Sequence, residues 1–266
     1  IGSEIYFPKI SVGATENTIM AASLARGRTR IINAAKEPEI IDLAKCLISM
    51  GAEISGAGTD EITIDGVEKL SGCDHTVIPD RIEAGSFAIA ASITGGELEL
   101  IECDPMHLLS LSKLLINAGV NWENTGKTIK ISSDGNIKPT SVETSEYPGF
   151  PTDLQAQFMT LMTIAKGNSK IVETIFENRF MHVPELTRMG AKISLEGGIA
   201  NVVGVTDLNG ARLMATDLRA SISLVIAALK AKGESIISRI YHLDRGYENI
   251  EKKLINCGAN IQRFKE

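Results

Sequence analysis

At 266 residues, with 44% hydrophobic and 23% charged side chains, the chain is long enough for two ordinary domains or one large one and too apolar for disorder. A net charge of −6 with no long run of one sign argues against a nucleic-acid-binding surface, and no apolar run reaches the length of a bilayer span. Cys46, Cys73, Cys103 and Cys257 form no C-x-x-C pair, and His75, His107, His182 and His242 lack ligand spacing, so no metal or cofactor is expected and the thiols read as reduced ones of a cytoplasmic protein.

In chain order, the first signal is a repeat of about seventy residues. Leu47-Ile48-Ser49-Met50-Gly51-Ala52, Leu115-Ile116-Asn117-Ala118-Gly119-Val120, Leu186-Thr187-Arg188-Met189-Gly190-Ala191 and Leu254-Ile255-Asn256-Cys257-Gly258-Ala259 match one another. Each closes an amphipathic helical pattern and precedes a short alternating one. The glycines at 51, 119, 190 and 258 suit the left-handed residue that ends a helix. Upstream in each unit lies an apolar, small-residue helix, at 18–25, 87–93, 158–165 and 222–231. Helices that are apolar nearly all round are buried. A glycine and a strand-like run follow each, as in Thr29-Arg30-Ile31-Ile32 and Lys170-Ile171-Val172-Glu173-Thr174. The second helices are amphipathic, with Pro38 and Pro105 near two of their starts, where a missing N–H costs least. Glu61-Ile62-Thr63-Ile64 and Lys192-Ile193-Ser194-Leu195 read as the strands after them.

The predicted unit is helix–strand–helix–strand–strand. Four such units give an α/β fold with helices inside and sheets outside, broken after the first unit near 72–77. Repetition about a local axis brings the buried helices' N-termini to one end. Four starts stand out: Ser11-Val12-Gly13-Ala14-Thr15, Asp80-Arg81-Ile82-Glu83, Thr152-Asp153-Leu154-Gln155 and Thr216-Asp217-Leu218-Arg219. Capping is the simplest account of each; anion binding at exposed N–H groups is the sharper one. Asp153, behind Gly149-Phe150-Pro151-Thr152 and ahead of an apolar helix of about twelve residues, is a candidate general base. Two polar clusters follow strands, Glu177-Asn178-Arg179-Phe180-Met181-His182 and Arg239-Ile240-Tyr241-His242-Leu243-Asp244-Arg245-Gly246-Tyr247. Arginine suits two-point binding of carboxylate or phosphate. The plain alternative pairs Arg179 with Glu177 and Arg245 with Asp244 at the surface, with His182 and His242 as satisfied structural histidines. G-x-G-x-x-G, P-loop, H-E-x-x-H and G-x-S-x-G are all absent.

Taken together with Ala35-Lys36-Glu37-Pro38-Glu39-Ile40, Phe150-Pro151-Thr152-Asp153-Leu154-Gln155-Ala156-Gln157, Phe176-Glu177-Asn178-Arg179-Phe180-Met181-His182-Val183-Pro184-Glu185-Leu186 and Ala215-Thr216-Asp217-Leu218-Arg219-Ala220, these motifs resemble the bacterial UDP-N-acetylglucosamine enolpyruvyl transferase family. The resemblance runs through the whole chain. It implies inside-out α/β barrels of repeated units, with residues 1–78 as the last unit of one domain and 79–266 as the other domain. It implies substrates UDP-N-acetylglucosamine and phosphoenolpyruvate, no cofactor, no metal and no nucleic-acid or membrane partner, in peptidoglycan precursor synthesis and hence in cell shape and division.

By the same resemblance Lys9, Ile10, Ser11, Val12 and Gly13 hold the sugar nucleotide, and Ile175 contacts it through its backbone. Asp153 binds the sugar hydroxyl and acts as base. Arg245 binds phosphoenolpyruvate, Arg179 and Arg219 line the same charged cleft, and Asp217 is a second active-site carboxylate. The family carries about half again as much chain ahead of this point, with a Lys-Asn pair and a mobile loop bearing a reactive cysteine or aspartate. None of these motifs occurs here, and the start at Ile1-Gly2 reads as cut or processed, so the 266 residues alone are expected to be inactive. A non-catalytic homologue that binds sugar nucleotide or a protein is the competing expectation.

Overall fold

The computed structural model describes residues 1–264. The chain forms two compact units, 1–79 with 146–148, and 80–145 with 149–266.

The first unit runs β1 (Glu4–Tyr6), α1 (Val12–Ala22), β2 (Arg28–Ile32), α2 (Pro38–Ser49), β3 (Glu53–Ser55), β4 (Glu61–Asp65). Its sheet has the order β1-β2-β4-β3, with β1 and β2 parallel and the other pairs antiparallel. Alternation in β2 and β4 turns Ile31, Ile62 and Ile64 inward, against Ile19 of α1 and Ile40 and Leu47 of α2. Pro38 opens α2, as its missing N–H allows. The first helix departs from expectation. It buries only Thr15, Ile19 and Ala22, and Met20 stays exposed, because α2 and the sheet cover one side of it.

The second unit runs α3 (Arg81–Thr94), β5 (Glu97–Leu100), α4 (Leu109–Asn117), β6 (Asn121–Thr125), β7 (Thr128–Ser132), β8 (Val142–Glu143), α5 (Gln155–Met162), β9 (Asn168–Val172), α6 (Val183–Arg188), β10 (Lys192–Glu196), β11 (Ile199–Val203), β12 (Arg212–Met214), α7 (Leu218–Lys230), β13 (Ile236–Ser238), α8 (Ile250–Asn256). Helices α3, α5 and α7 pack on one another at its centre. Three separate sheets, β5-β7-β6, β8-β9-β11-β10 and β12-β13, belong to the same unit. This is the predicted arrangement of buried helices with sheets outside, and no single closed cylinder of strands runs through the described residues.

The repeat is visible in the hydrogen bonding. The order β8-β9-β11-β10, with its parallel first pair and antiparallel remainder, reproduces β1-β2-β4-β3. The order β5-β7-β6 is the same pattern without its first strand, and β12-β13 is the parallel pair alone. Gly51, Gly119, Gly190 and Gly258 all have φ between 93° and 102°, the left-handed conformation expected at each helix end. No strand follows Gly258 among the described residues, unlike the other three units.

All eight residues of α5 are buried. Its polar members are accommodated unevenly: Thr160 Oγ1 donates to the Ala156 carbonyl at 3.0 Å, as Ser86 Oγ does to Ile82 in α3 at 2.8 Å, and Gln157 Nε2 reaches the Asp153 carbonyl, whereas the buried Gln155 side-chain amide has no hydrogen-bond partner among the described residues. Phe158 and Leu161 of α5 lie at 0% exposure in one core with Ile89, Ile93, Leu224 and Ile226. The helix is shorter than the sequence suggests. Thr152–Leu154 winds as a 3-10 turn before it, and at its end Thr163 Oγ1 takes the Thr160 carbonyl at 2.6 Å.

Candidate active site

Asp80, Asp217 and Ser11 are helix caps. Asp80 Oδ1 accepts from the N–H groups of Ile82 and Glu83 at 2.7 and 3.0 Å, Asp217 Oδ1 from Arg219 and Ala220 at 2.9 Å each, and Ser11 Oγ from Ala14 at 3.2 Å. Asp153 is the exception. Residue 153 lies inside the 3-10 turn, whose leading residue, Pro151, has no side chain able to cap it. The Asp153 carboxylate instead faces two guanidinium groups: Arg179 Nη2 donates to Oδ1, and Arg219 Nη2 donates to Oδ2 at 2.8 Å. Burial pushes this carboxyl up, but Arg219 and then Arg179 outweigh burial and hold it below the usual carboxylate range.

Each arm of this clamp is fixed from behind. Arg219 stands in the first turn of α7 and also meets Tyr247. The buried Tyr247 hydroxyl lies 2.9 Å from Ser86 Oγ and 3.4 Å from Gln157 Nε2, and Gln157 Nε2 returns to the Asp153 carbonyl at 2.9 Å. Arg179 rests on the Phe176 ring, 4.7 Å from its centroid. The turn that carries Phe176 is pinned by buried Glu173, which accepts from the N–H groups of Ile175 and Phe176 at 2.8 and 3.1 Å.

Two surface pairings suggested by sequence spacing do not form. Arg179 pairs with Asp153 rather than Glu177, and Asp244 pairs with Arg263, at 2.7 and 2.9 Å, rather than with Arg245. In the first case the carboxylate nearest in sequence loses to one that the fold brings up; in the second the neighbouring arginine loses to one that grips Asp244 through two nitrogens. The two histidines are not the satisfied groups that the spacing suggested. His182 Nε2 and His242 Nε2 are buried without a hydrogen-bond partner among the described residues. Burial lowers His182 to a pKa of about 4, against the pull of Asp217 and with the help of Arg179, so it is neutral at pH 7.

The structure brings Asp153, Arg179 and Arg219 together and sets Asp217 as the cap beneath Arg219. Arg245 ends a 3-10 turn over Ile240–Arg245, is exposed, and makes no hydrogen bond or ion pair among the described residues. The Ile175 N–H is committed to Glu173. Lys9, Ile10, Ser11, Val12 and Gly13 belong to the first unit, at the start of α1; Lys9 is exposed, and a Cβ at Gly13 would meet nothing within 4 Å. Glu173, Tyr247 and Ser86 were not singled out from the sequence. Glu173 had a signal: period-two alternation puts it on the same side as buried Ile171. Among the described residues no group of three or more His, Cys, Asp and Glu could hold a metal ion, and no helix is long and apolar enough to cross a membrane.

A family profile described as EPSP synthase (3-phosphoshikimate 1-carboxyvinyltransferase) matches residues 2–254. The UDP-N-acetylglucosamine 1-carboxyvinyltransferase of Rhodospirillum centenum is 58% identical over 266 residues, covering 100% of this chain and 62% of the relative. The proteins of the same name from Paramagnetospirillum magneticum and Agrobacterium fabrum are 55% and 57% identical, over the same shares. The chain therefore spans about 62% of the length of these curated relatives. Among solved structures, the enolpyruvyl transferase NikO from Streptomyces tendae superposes with a TM-score of 0.85 at 27% identity, covering 94% of this chain and 60% of that one. An EPSP synthase from Acinetobacter baumannii shares the fold, with a TM-score of 0.70 at 20% identity over 97% of this chain and 62% of that one.

Proposed function

The chain belongs to the EPSP synthase (3-phosphoshikimate 1-carboxyvinyltransferase) family, and from that premise we propose that it is part of an enolpyruvyl transferase that moves the enolpyruvyl group of phosphoenolpyruvate to the 3-hydroxyl of UDP-N-acetylglucosamine. The family carries the class of reaction. The choice of sugar nucleotide rests on relatives at 55–58% identity that bear that name. In this reading the protein is a cytoplasmic enzyme of peptidoglycan precursor synthesis, and residues 1–78 and 79–266 contribute to two domains of the complete enzyme.

The observation that carries the reading is Asp153 held between Arg179 and Arg219. The sugar hydroxyl oxygen bonds to C2 of phosphoenolpyruvate while C3 takes a proton. The adduct then loses a proton from C3 and expels phosphate, which restores the double bond. Asp153 accepts the proton of the hydroxyl. Without ligand, the arginines depress its basicity. The anionic groups of phosphoenolpyruvate compete for the same guanidinium groups, so their arrival restores the base where it is needed. Arg245, with no partner of its own among the described residues, is a further ligand for phosphoenolpyruvate. Asp217 orients Arg219 by capping its helix. Lys9 and the N-terminus of α1, with open space over Gly13, suit the diphosphate of the sugar nucleotide, with Ile10, Ser11 and Val12 alongside. Ile175 adds a backbone contact.

The test is phosphate release from phosphoenolpyruvate and UDP-N-acetylglucosamine by a protein of the relatives' full length that contains these 266 residues. Release that requires both substrates is expected. Calorimetric binding of the sugar nucleotide with no phosphate release would overturn the catalytic assignment in favour of a binding module.

A further inference from the structure

We propose that Glu173 is a positioning residue that sets Asp153 and Arg179 at their working distance, an inference that rests on reading Asp153 as the base. Glu173 closes a ring of contacts. Its Oε2 accepts from Thr152 Oγ1 at 2.8 Å, and Thr152 is the residue next to Asp153. Its Oε1 accepts from Phe176 N–H at 3.1 Å, from Ile175 N–H at 2.8 Å and from Thr144 Oγ1 at 2.9 Å. The Phe176 ring lies under the Arg179 guanidinium, and Arg179 returns to Asp153. One carboxylate thus ties the backbone on one side of the ion pair to the platform on its other side.

Glu173 is 7% exposed, and no basic side chain pairs with it among the described residues. Neutral donors alone hold this buried carboxylate. Such an arrangement is costly unless every donor is in place, so it resists small displacements. Thr144 stiffens it further: its Oγ1 accepts from Thr174 N–H at 2.9 Å, and its carbonyl accepts from Thr174 Oγ1 at 2.5 Å. The turn 173–176 is therefore braced on both sides before Arg179 leaves it. Packing alone does not ask for a carboxylate at the end of β9. Simultaneous acceptance from a hydroxyl on one side and two N–H groups on the other does.

The experiment is the titration of the Asp153 carboxyl, followed by carbon NMR in the 266-residue chain and assigned with Asp153→Asn. The charged and titratable groups around it are Arg179 and Arg219, with Tyr247 behind Arg219. Thr152→Val cuts the link to Asp153 and leaves the rest of the Glu173 network intact; Glu173→Ala removes the network. Both are expected to raise the midpoint by about one pH unit, a tenfold change in proton affinity. Thr152→Ser keeps the hydroxyl, and Glu173→Gln can keep an oxygen on the N–H side while its amide donates to Thr152, so both should stay near the parent value. Unchanged midpoints in Thr152→Val and Glu173→Ala would overturn the proposal, as would equal shifts in all four variants. If Glu173→Ala does not fold, Thr152→Val decides. The titration needs no turnover, so its outcome stands apart from that of the phosphate-release assay.

Discussion

Arg219 donates to Asp153 Oδ2 at 2.8 Å across 66 residues of sequence, while its own backbone N–H is held by Asp217 Oδ1 at 2.9 Å. Two aspartates at equivalent places in the repeat thus do different work. Asp217 shapes the helix start, and Asp153 meets the side chain that this start presents.

Replacing Arg219 with Lys should lower turnover of the complete enzyme about tenfold or more, although the charge is kept. An ammonium group is a point donor and cannot reach Asp153 and Tyr247 together as the planar guanidinium does. Phosphate-release kinetics, with the far-UV spectrum as a control for folding, check this.

Gly85 lies in α3, and a Cβ there would sit 2.7 Å from Leu154 Cδ1 and 3.0 Å from Leu111 Cδ2, both side chains being fully buried. Gly85→Ala should therefore destabilise the second unit by about 1–3 kcal/mol through overpacking. Because Leu154 follows Asp153, it should also reduce turnover. Urea denaturation gives the first number and the phosphate assay the second.

His182 gives the fold a dependence on pH. Its folded pKa of about 4 lies below its ordinary 6.5, so the unfolded chain binds the proton more readily. The stability tied to neutral His182 is complete above pH 6.5 and is lost as pH falls from there to about 4, by roughly 3 kcal/mol in all. Asp153, whose folded pKa is lowered, loses its contribution in a separate window, as pH falls below its ordinary 3.8 and through that lowered value. His182→Phe should flatten the stability profile between pH 6.5 and 4 and leave the steeper fall at lower pH. Equal slopes in parent and variant would contradict this.

Much of the fold is legible in local spacing. Gly51, Gly119, Gly190 and Gly258 end their helices in the left-handed conformation because each closes an amphipathic run, whatever its length, and a local rule governs that position. Ser11, Asp80 and Asp217 cap helices for the same reason. The site is less legible because its contacts are long-range. Nothing in the neighbourhood of Asp153 says that it should prefer Arg179 and Arg219, 26 and 66 residues away, to the helix that follows it. Motif resemblance pointed to these three residues; it did not say that they touch. Glu173 was hidden just past an alternating strand, where only its buried phase marked it as unusual. The one-sided burial of α1 was hidden too, because composition reports how apolar a helix is and not how many neighbours cover it.

The most direct measurement is phosphate release by Asp153→Asn in the complete enzyme. Asparagine keeps the size of the side chain and can still accept a hydrogen bond, but it cannot take the proton. Turnover should fall by about a hundredfold or more while the native spectrum and binding of UDP-N-acetylglucosamine persist. Turnover within twofold of the parent would contradict the assignment of Asp153 as the base.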